Sequence, residues 1–232
     1  MAYVERLVRS PLVVCTWEQT VEDDDSQLVV PDGCVDLLWS GSLSVAGPDT
    51  GARSVPLRAG TRIVGVRFAP GVAGAVFPVP ASALRDAQPE AADVFGRDQA
   101  LRLEHALAGA ADVHTMLVQA VRPLVRAPDP LVAAAIRALD RPRARVAEVA
   151  GDIGLSERQL QRRVADAVGY GPKTLARVLQ FRRLQALPSE LALAERALEA
   201  GYADQAHMTS EVTRLTGLSP VRFLKDRTPT AA

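Results

Sequence analysis

Apolar and polar positions alternate over short runs in the first part of the chain, then shift to helical spacing after Pro70-Gly71. Leu12 to Trp17 is rich in β-branched and aromatic residues, as half-buried strands are. Gln27-Leu28-Val29-Val30 leads into the turn signal Pro31-Asp32-Gly33, and Cys34 to Trp39 resumes the run, so 27–39 reads as a hairpin. Leu43 to Ala46 and Arg62 to Phe68 are further strands. In the last, Ile63, Gly65 and Arg67 share one face and Val64, Val66 and Phe68 the other. Gly41, Gly47-Pro48, Gly51 and Gly60 supply turns. Short strands at this spacing predict a small antiparallel sandwich or barrel.

Beyond Gly71, Val72 to Phe77 suits a short helix stopped by Pro78 and Pro80, and Ser82 is placed to cap a turn through Leu84. From Asp98 the chain reads as helix. Val113, Met116, Leu117, Ala120, Val121 and Leu124 make one apolar stripe. The stripe has two readings, a homodimer surface or a face packed on the β-rich region. Pro128 and Pro130 break the pattern, and Leu131 to Leu139 forms another helix, ended before Pro142. The expected division is 1–96, a β-rich sensor region; 97–128, connecting helices that also offer a dimerisation surface; and 129–232, a helical unit.

That last unit contains an imperfect repeat. Offset by 47–48 residues, Ala150 meets Ala197 and Gly154 meets Gly201. With one extra residue, Ala203, Ser156 meets Asp204, Leu160 meets Met208, Val164 meets Val212, Gly169 meets Gly217 and Pro172 meets Pro220. Such a period marks a repeated supersecondary unit. Each copy reads as a short helix, a glycine turn, an N-cap (Ser156 or Asp204) and a second helix. In the first copy Leu160, Val164 and Val168 face inward, leaving Arg158, Gln161, Arg162 and Ala165 on the outer face.

Charge sharpens this picture. The whole chain has 27 basic and 27 acidic residues, a net of zero. Residues 1–128 carry a net of −4 and 129–232 a net of +4, with +6 concentrated in 141–187. A basic face on one half points to an anionic partner. Arginine can bond guanine O6 and N7 in bidentate fashion and glutamine can read adenine, so Arg158, Gln161 and Arg162 are candidate base readers. Arg163, Lys173, Arg177, Arg182 and Arg183 are candidate phosphate contacts.

Gly154-Leu155-Ser156 followed by Leu160-Gln161-Arg162 resembles the first helix-turn-helix of the AraC/XylS family of bacterial transcription regulators. Ala200 to Met208, then Thr216-Gly217-Leu218-Ser219-Pro220-Val221-Arg222-Phe223-Leu224, resembles the family's second unit and closing signature. The match covers about residues 131–227. The resemblance implies an α+β chain: a β-rich, sandwich- or barrel-like N-terminal domain with helices, then an all-α DNA-binding domain with two helix-turn-helix motifs joined by a linker helix. Pro172 to Leu187 fits the linker and at 1.5 Å per residue spans about 24 Å. It further implies that Gln205, Ala206, Thr209 and Ser210 face bases in the second motif. Here the sequence departs from the family, where an arginine commonly sits at Ser210, and Glu211 adds an acid; residues 190–216 carry a net of −3. The first motif is therefore expected to dominate affinity. Expected partners are double-stranded DNA, RNA polymerase, a small-molecule effector and a second copy of the chain.

Pro31 to Trp39, Gly65 to Gly71 and Val79 to Asp86 are similar to a domain found in front of many such regulators, which by analogy implies an effector. Arg67 has two readings, an anionic-ligand contact or an ion pair with Asp36. Asp32 and Asp36 are either a carboxylate pair or, for Asp32, a turn cap. Trp39 and Trp17 line a pocket or fill the core. Cys15 and Cys34 would serve a redox switch only if neighbouring strands bring them within bonding distance. The three histidines, His105, His114 and His207, all fall in helical stretches, so no metal site or cofactor is expected. No nucleophile constellation or phosphate-binding glycine loop is present, so no enzyme is expected. Met1 to Val14 lacks a signal-peptide pattern and no run suits a membrane span, which makes a cytoplasmic location the expectation. The competing function class is a protein-interaction module with a degenerate repeat.

Overall fold

The computed structural model describes residues 2–225; positions 226–232 of the expected C-terminal unit lie outside the described residues. The first seven strands are β1 (Ala2–Leu7), β2 (Val13–Thr20), β3 (Asp25–Val29), β4 (Val35–Trp39), β5 (Leu43–Ala46), β6 (Arg53–Leu57) and β7 (Arg62–Phe68). They form a five-stranded antiparallel sheet in the order β1-β2-β7-β4-β5 and a two-stranded ribbon, β3-β6.

The 27–39 segment is not a hairpin. Leu28 pairs with Ser54 on β6, whereas Asp36 pairs with Arg67 on β7 and Ala46 on β5. The Cys34 amide donates to Asp32 Oδ1 at 2.8 Å, an Asx turn that redirects the chain into the other sheet. Asp32 thus caps its turn. Two strands carry little sequence signal: β1 is a mostly exposed edge, and β6 contains Pro56, which removes a ladder donor.

Helices cover one face of the larger sheet. They are α1 (Ala73–Val76), α2 (Ala91–Phe95), α3 (Arg97–Ala108) and α4 (Val113–Val121). A 3-10 turn at Ala81–Ala83 starts from Pro80, so Ser82 lies inside it rather than capping it. Val35, Leu37, Val64, Val66 and Phe68 pack against Val76, Phe77, Leu107, Leu117 and Val121. Phe68 meets Phe77 edge-on at 5.6 Å. The stripe on α4 is therefore used inside its own domain: Leu117 and Val121 are buried, with Val113, Met116, Ala120 and Leu124 packed around them. This corrects the dimer-surface reading, because that face is already covered.

The remaining helices are α5 (Pro130–Leu139), α6 (Val146–Asp152), α7 (Glu157–Val168), α8 (Pro172–Ala186), α9 (Leu193–Glu199), α10 (Gln205–Thr216) and α11 (Pro220–Lys225). They enclose two cores that share α8. Leu175, Val178 and Leu179 join Leu160 and Val164 in the first core, while Phe181 and Leu184 join Met208 and Val212 in the second. The N-terminal half contributes Val30 to the second core, with Leu28 and Ala52 packed beside it. The C-terminal end of α7 sits on α1 and the 81–83 turn; a Cβ on Gly169 would lie 2.3 Å from Pro48 Cγ. Among the described residues no helix is long and apolar enough to cross a membrane.

Candidate nucleic-acid interface

The repeat seen in the sequence is a repeat in space. Gly154 and Gly201 both take left-handed backbone, with φ of +71° and +90°. That conformation is open to glycine without Cβ strain and turns the chain sharply from the first helix of each pair toward the second. Ser156 caps α7 in a reciprocal capping box: the Gln159 amide donates to Ser156 Oγ at 3.3 Å, and the Ser156 amide donates to Gln159 Oε1 at 2.9 Å. Asp204 caps α10 through the His207 amide at 2.7 Å. Leu160 and Val164 in one copy, and Met208 and Val212 in the other, are fully buried. Gly169 and Gly217 end the second helices, and the buried Pro172 and Pro220 open the helices that follow. Each pair of short helices is thus locked around a small core with its capped second helix facing outward.

On α7, Arg158, Gln161 and Arg162 are exposed. Among the described residues neither Arg158 nor Arg162 enters an ion pair, so both guanidiniums keep their donors. Gln161 folds back toward Gly171, where a Cβ would come within 2.3 Å of its Nε2. Arg162 also borders the cleft between α7 and the N-terminal half, together with Arg126, Arg163 and Asp166.

The other basic candidates divide by environment. Lys173 is exposed on the first turn of α8. Arg177, also exposed, lies 3.6 Å from Glu211. Arg163 is half-buried and pairs with Asp129, the N-cap of α5. Arg182 donates to the Asp32 carbonyl at 3.3 Å. Arg183 bonds Asp140 and points toward the Ala200 carbonyl at 3.4 Å. These last three tie parts of the chain together.

In the second motif Gln205, Ala206 and Ser210 are exposed, but the Thr209 hydroxyl is turned back to the Gln205 carbonyl at 2.8 Å. Glu211 is held by Arg214 at 2.8 Å as well as by Arg177. Two basic residues absent from the sequence-based candidates, Arg141 and Arg143, border a groove that also includes Arg183 and His207, beside the turn of the second motif at Gly201 and Ala203. Arg143 stands in left-handed backbone at φ +59°, which nothing in its residue type signals.

Residues 149–226 match the family described as "Helix-turn-helix domain", and residues 9–90 match one described as "Domain of unknown function (DUF6597)". The C-terminal region is an AraC-type helix-turn-helix domain. Such a domain is the DNA-binding unit of transcription regulators, and here it holds two motifs joined by α8. Similar solved structures include the C-terminal domain of AraT, a response regulator from Geobacillus stearothermophilus, at 21% identity over 43% of this chain and 87% of that one, with a TM-score of 0.40. They also include unsaturated fatty acid bound wild-type ToxT from Vibrio cholerae strain SCE256, at 10% identity over 98% and 100%, with a TM-score of 0.48. No curated protein matches the chain.

Preceding the AraC-type domain, the five-stranded sheet and the β3-β6 ribbon enclose a cavity of about 100 Å³. Trp17, Asp36, Arg67, Gln27, Val55 and Leu57 are among its lining residues. Arg67 is only 2% exposed and donates to Asp36 Oδ1 at 3.2 Å and Oδ2 at 3.0 Å, so the ion-pair reading of Arg67 holds. Trp17 Nε1 donates to the same carboxylate at 2.8 Å. Burial raises the Asp36 pKa; the Arg67 charge and hydrogen bonds oppose that rise. Arg53 is held by Asp49 at 3.0 Å. Trp39, a sequence-based pocket candidate, packs into the helix-covered core and is not part of the cavity lining, because Asp36 and Leu38 take the cavity side of β4.

Cys15 lies on β2 opposite Arg67, and Arg67 lies opposite Asp36 on β4. Cys34, just before β4, is thus separated from Cys15 by a whole strand, about 10 Å at ordinary strand spacing. A disulfide needs Cα atoms within about 7 Å. Both thiols are buried, which pushes the Cys15 pKa to about 11 and the Cys34 pKa well up. Geometry and protonation both oppose the redox-switch reading.

Proposed function

We propose that the chain is a sequence-specific transcription regulator in which α7 is the principal reader of double-stranded DNA and the N-terminal half modulates it. The observation that carries this reading is the exposed, unpaired Arg158 and Arg162 on the outer face of a capped helix whose inner face is locked in the first core. Arg158, Gln161 and Arg162 read base edges, the two arginines by bidentate bonding to guanine. Lys173 and Arg177, exposed on successive turns of α8, contact phosphates. Arg163, Arg182 and Arg183 act mainly as internal ties, with residual phosphate contact from their exposed edges. In the second motif Gln205, Ala206 and Ser210 face DNA with weaker donors, and the inward Thr209 hydroxyl removes one more. The output is a change in RNA polymerase activity at the regulated promoter. The cavity under the ribbon is the effector site.

Fragments selected by the full chain from a random DNA pool supply the ligand for the test. Arg162→Ala should lose about 1–3 kcal/mol on the selected site and relax preference at one position. Ser210→Ala should lose much less. Equal losses would contradict the unequal division between the two motifs.

A further inference from the structure

Strand alternation gives the β3-β6 ribbon two different faces. Gln27 and Val29 on β3, and Arg53, Val55 and Leu57 on β6, turn toward the cavity. Between them Leu28 turns the other way and packs against the second core of the AraC-type domain, the one built around Phe181, Leu184 and Tyr202. Val30, just after β3, belongs to that core and also borders the cavity, so the cavity and the core that positions α10 meet at one side chain.

The connection continues into the following turn. Asp32 borders the cavity, and its carbonyl accepts from Arg182 on α8 at 3.3 Å. Gly33, at φ +82°, is close enough to Tyr170 that a Cβ there would lie 3.4 Å from the Tyr170 hydroxyl. Tyr170 stands between α7 and α8 in the first core. Segment 28–33 thus touches both halves of the reader.

We propose that the ribbon and its turn relay occupancy of the cavity to α8 and the second motif, setting the relative placement of the two reading helices. This rests on the reading of the cavity as the effector site. The occupant is a small molecule without net negative charge. The cavity, about 100 Å³, is far below the ~300–1,000 Å³ of pockets for drug-sized ligands. Both of its guanidiniums are already taken, Arg67 by Asp36 and Arg53 by Asp49, while Asp32 adds a third carboxylate. An occupant pushes on Val29 and Val55, and the ribbon shifts Leu28 and Val30 against the second core.

The test replaces the unidentified occupant with a larger side chain. Hydrogen exchange is compared between the full wild-type chain and Val55→Phe, with Val29→Phe as the second variant should the first not melt cooperatively. The proposal expects amides in 175–187 and 197–215 to change rate by about 5-fold or more, within the usual range of allosteric coupling. It also expects Leu28→Ala/Val30→Ala, which thins the contact, to reduce that change to less than about 2-fold when combined with Val55→Phe. Changes confined to residues 2–125 in a folded variant would overturn the relay. Binding to pool-selected DNA is measured in parallel. Propagated exchange with no DNA binding by wild type leaves the relay standing and removes the DNA reading; tight DNA binding with no propagated exchange does the reverse.

Discussion

Arg67 brings a full charge into the sandwich, and its energetics follow from having nowhere to go. Its guanidinium bonds Asp36 and also lies 3.7 Å from Asp32 and 3.6 Å from Glu5. Breaking a buried pair costs about 3–5 kcal/mol, and without the Asp36 charge Arg67 keeps only the longer contacts to Asp32 and Glu5, which places the loss toward the lower end. Asp36→Asn should destabilise by about that amount in chemical denaturation, whereas Arg67→Met/Asp36→Leu should recover most of it; comparable losses in both would show that specific bonding, not burial of charge, dominates. Glu18 supplies a pH-dependent counterpart. Its carboxylate accepts from Arg62 at 2.6 Å and meets His114 at 3.0 Å, and these bonds hold its pKa near 2. A pKa depressed in the folded state contributes stability above the unfolded value, near 4.3, that fades as pH falls toward 2. Denaturation profiles from pH 5 to 2 should therefore be flatter in Glu18→Gln, and parallel profiles would remove that contribution. At this scale the Arg67–Asp36 pair and the Asp32 cap were readable from residue type and spacing. The choice of Trp17 over Trp39 was not, because it depends on which face of each strand meets the ribbon.

Among the elements, α7 and α10 were the most legible. Their signal is redundant: a glycine turn, a cap, inward apolar residues at helical spacing and a terminal glycine recur in both copies. Ser156→Ala removes the cap but none of the inward residues, and should cost about 1 kcal/mol of stability. Thermal or denaturant unfolding checks this, and a loss several times larger would mean that the cap also fixes the turn at Gly154. The 27–39 segment failed as a hairpin because Pro-Asp-Gly is a turn signal blind to partner. Here Leu28 and Val30 belong to the second helical core, so β3 must leave the sheet that β4 joins. The α4 stripe left two readings open since periodicity identifies an apolar face but not what covers it. The arginine candidates were found by charge and position. Their division into exposed donors and internal ties needed the carbonyls and carboxylates of distant segments, such as Asp32 for Arg182 and Asp129 for Arg163.

For the whole molecule, the neutral overall charge conceals a basic second half attached to an acidic first half. The two halves share packing at Val30 and at the seat of α7 on α1 and the 81–83 turn, so the reader is held by the domain proposed to control it. In the proposed reading, Lys173 and Arg177 on α8 and the arginines of α7 make DNA binding an electrostatic event. The most direct measurement is the affinity of the full chain for its pool-selected DNA as salt is raised from about 50 to 200 mM. The account predicts binding at the low end and a linear fall of log K with log salt, by about 0.9 per neutralised phosphate. An absence of binding at the low end, or an affinity indifferent to salt, would contradict it.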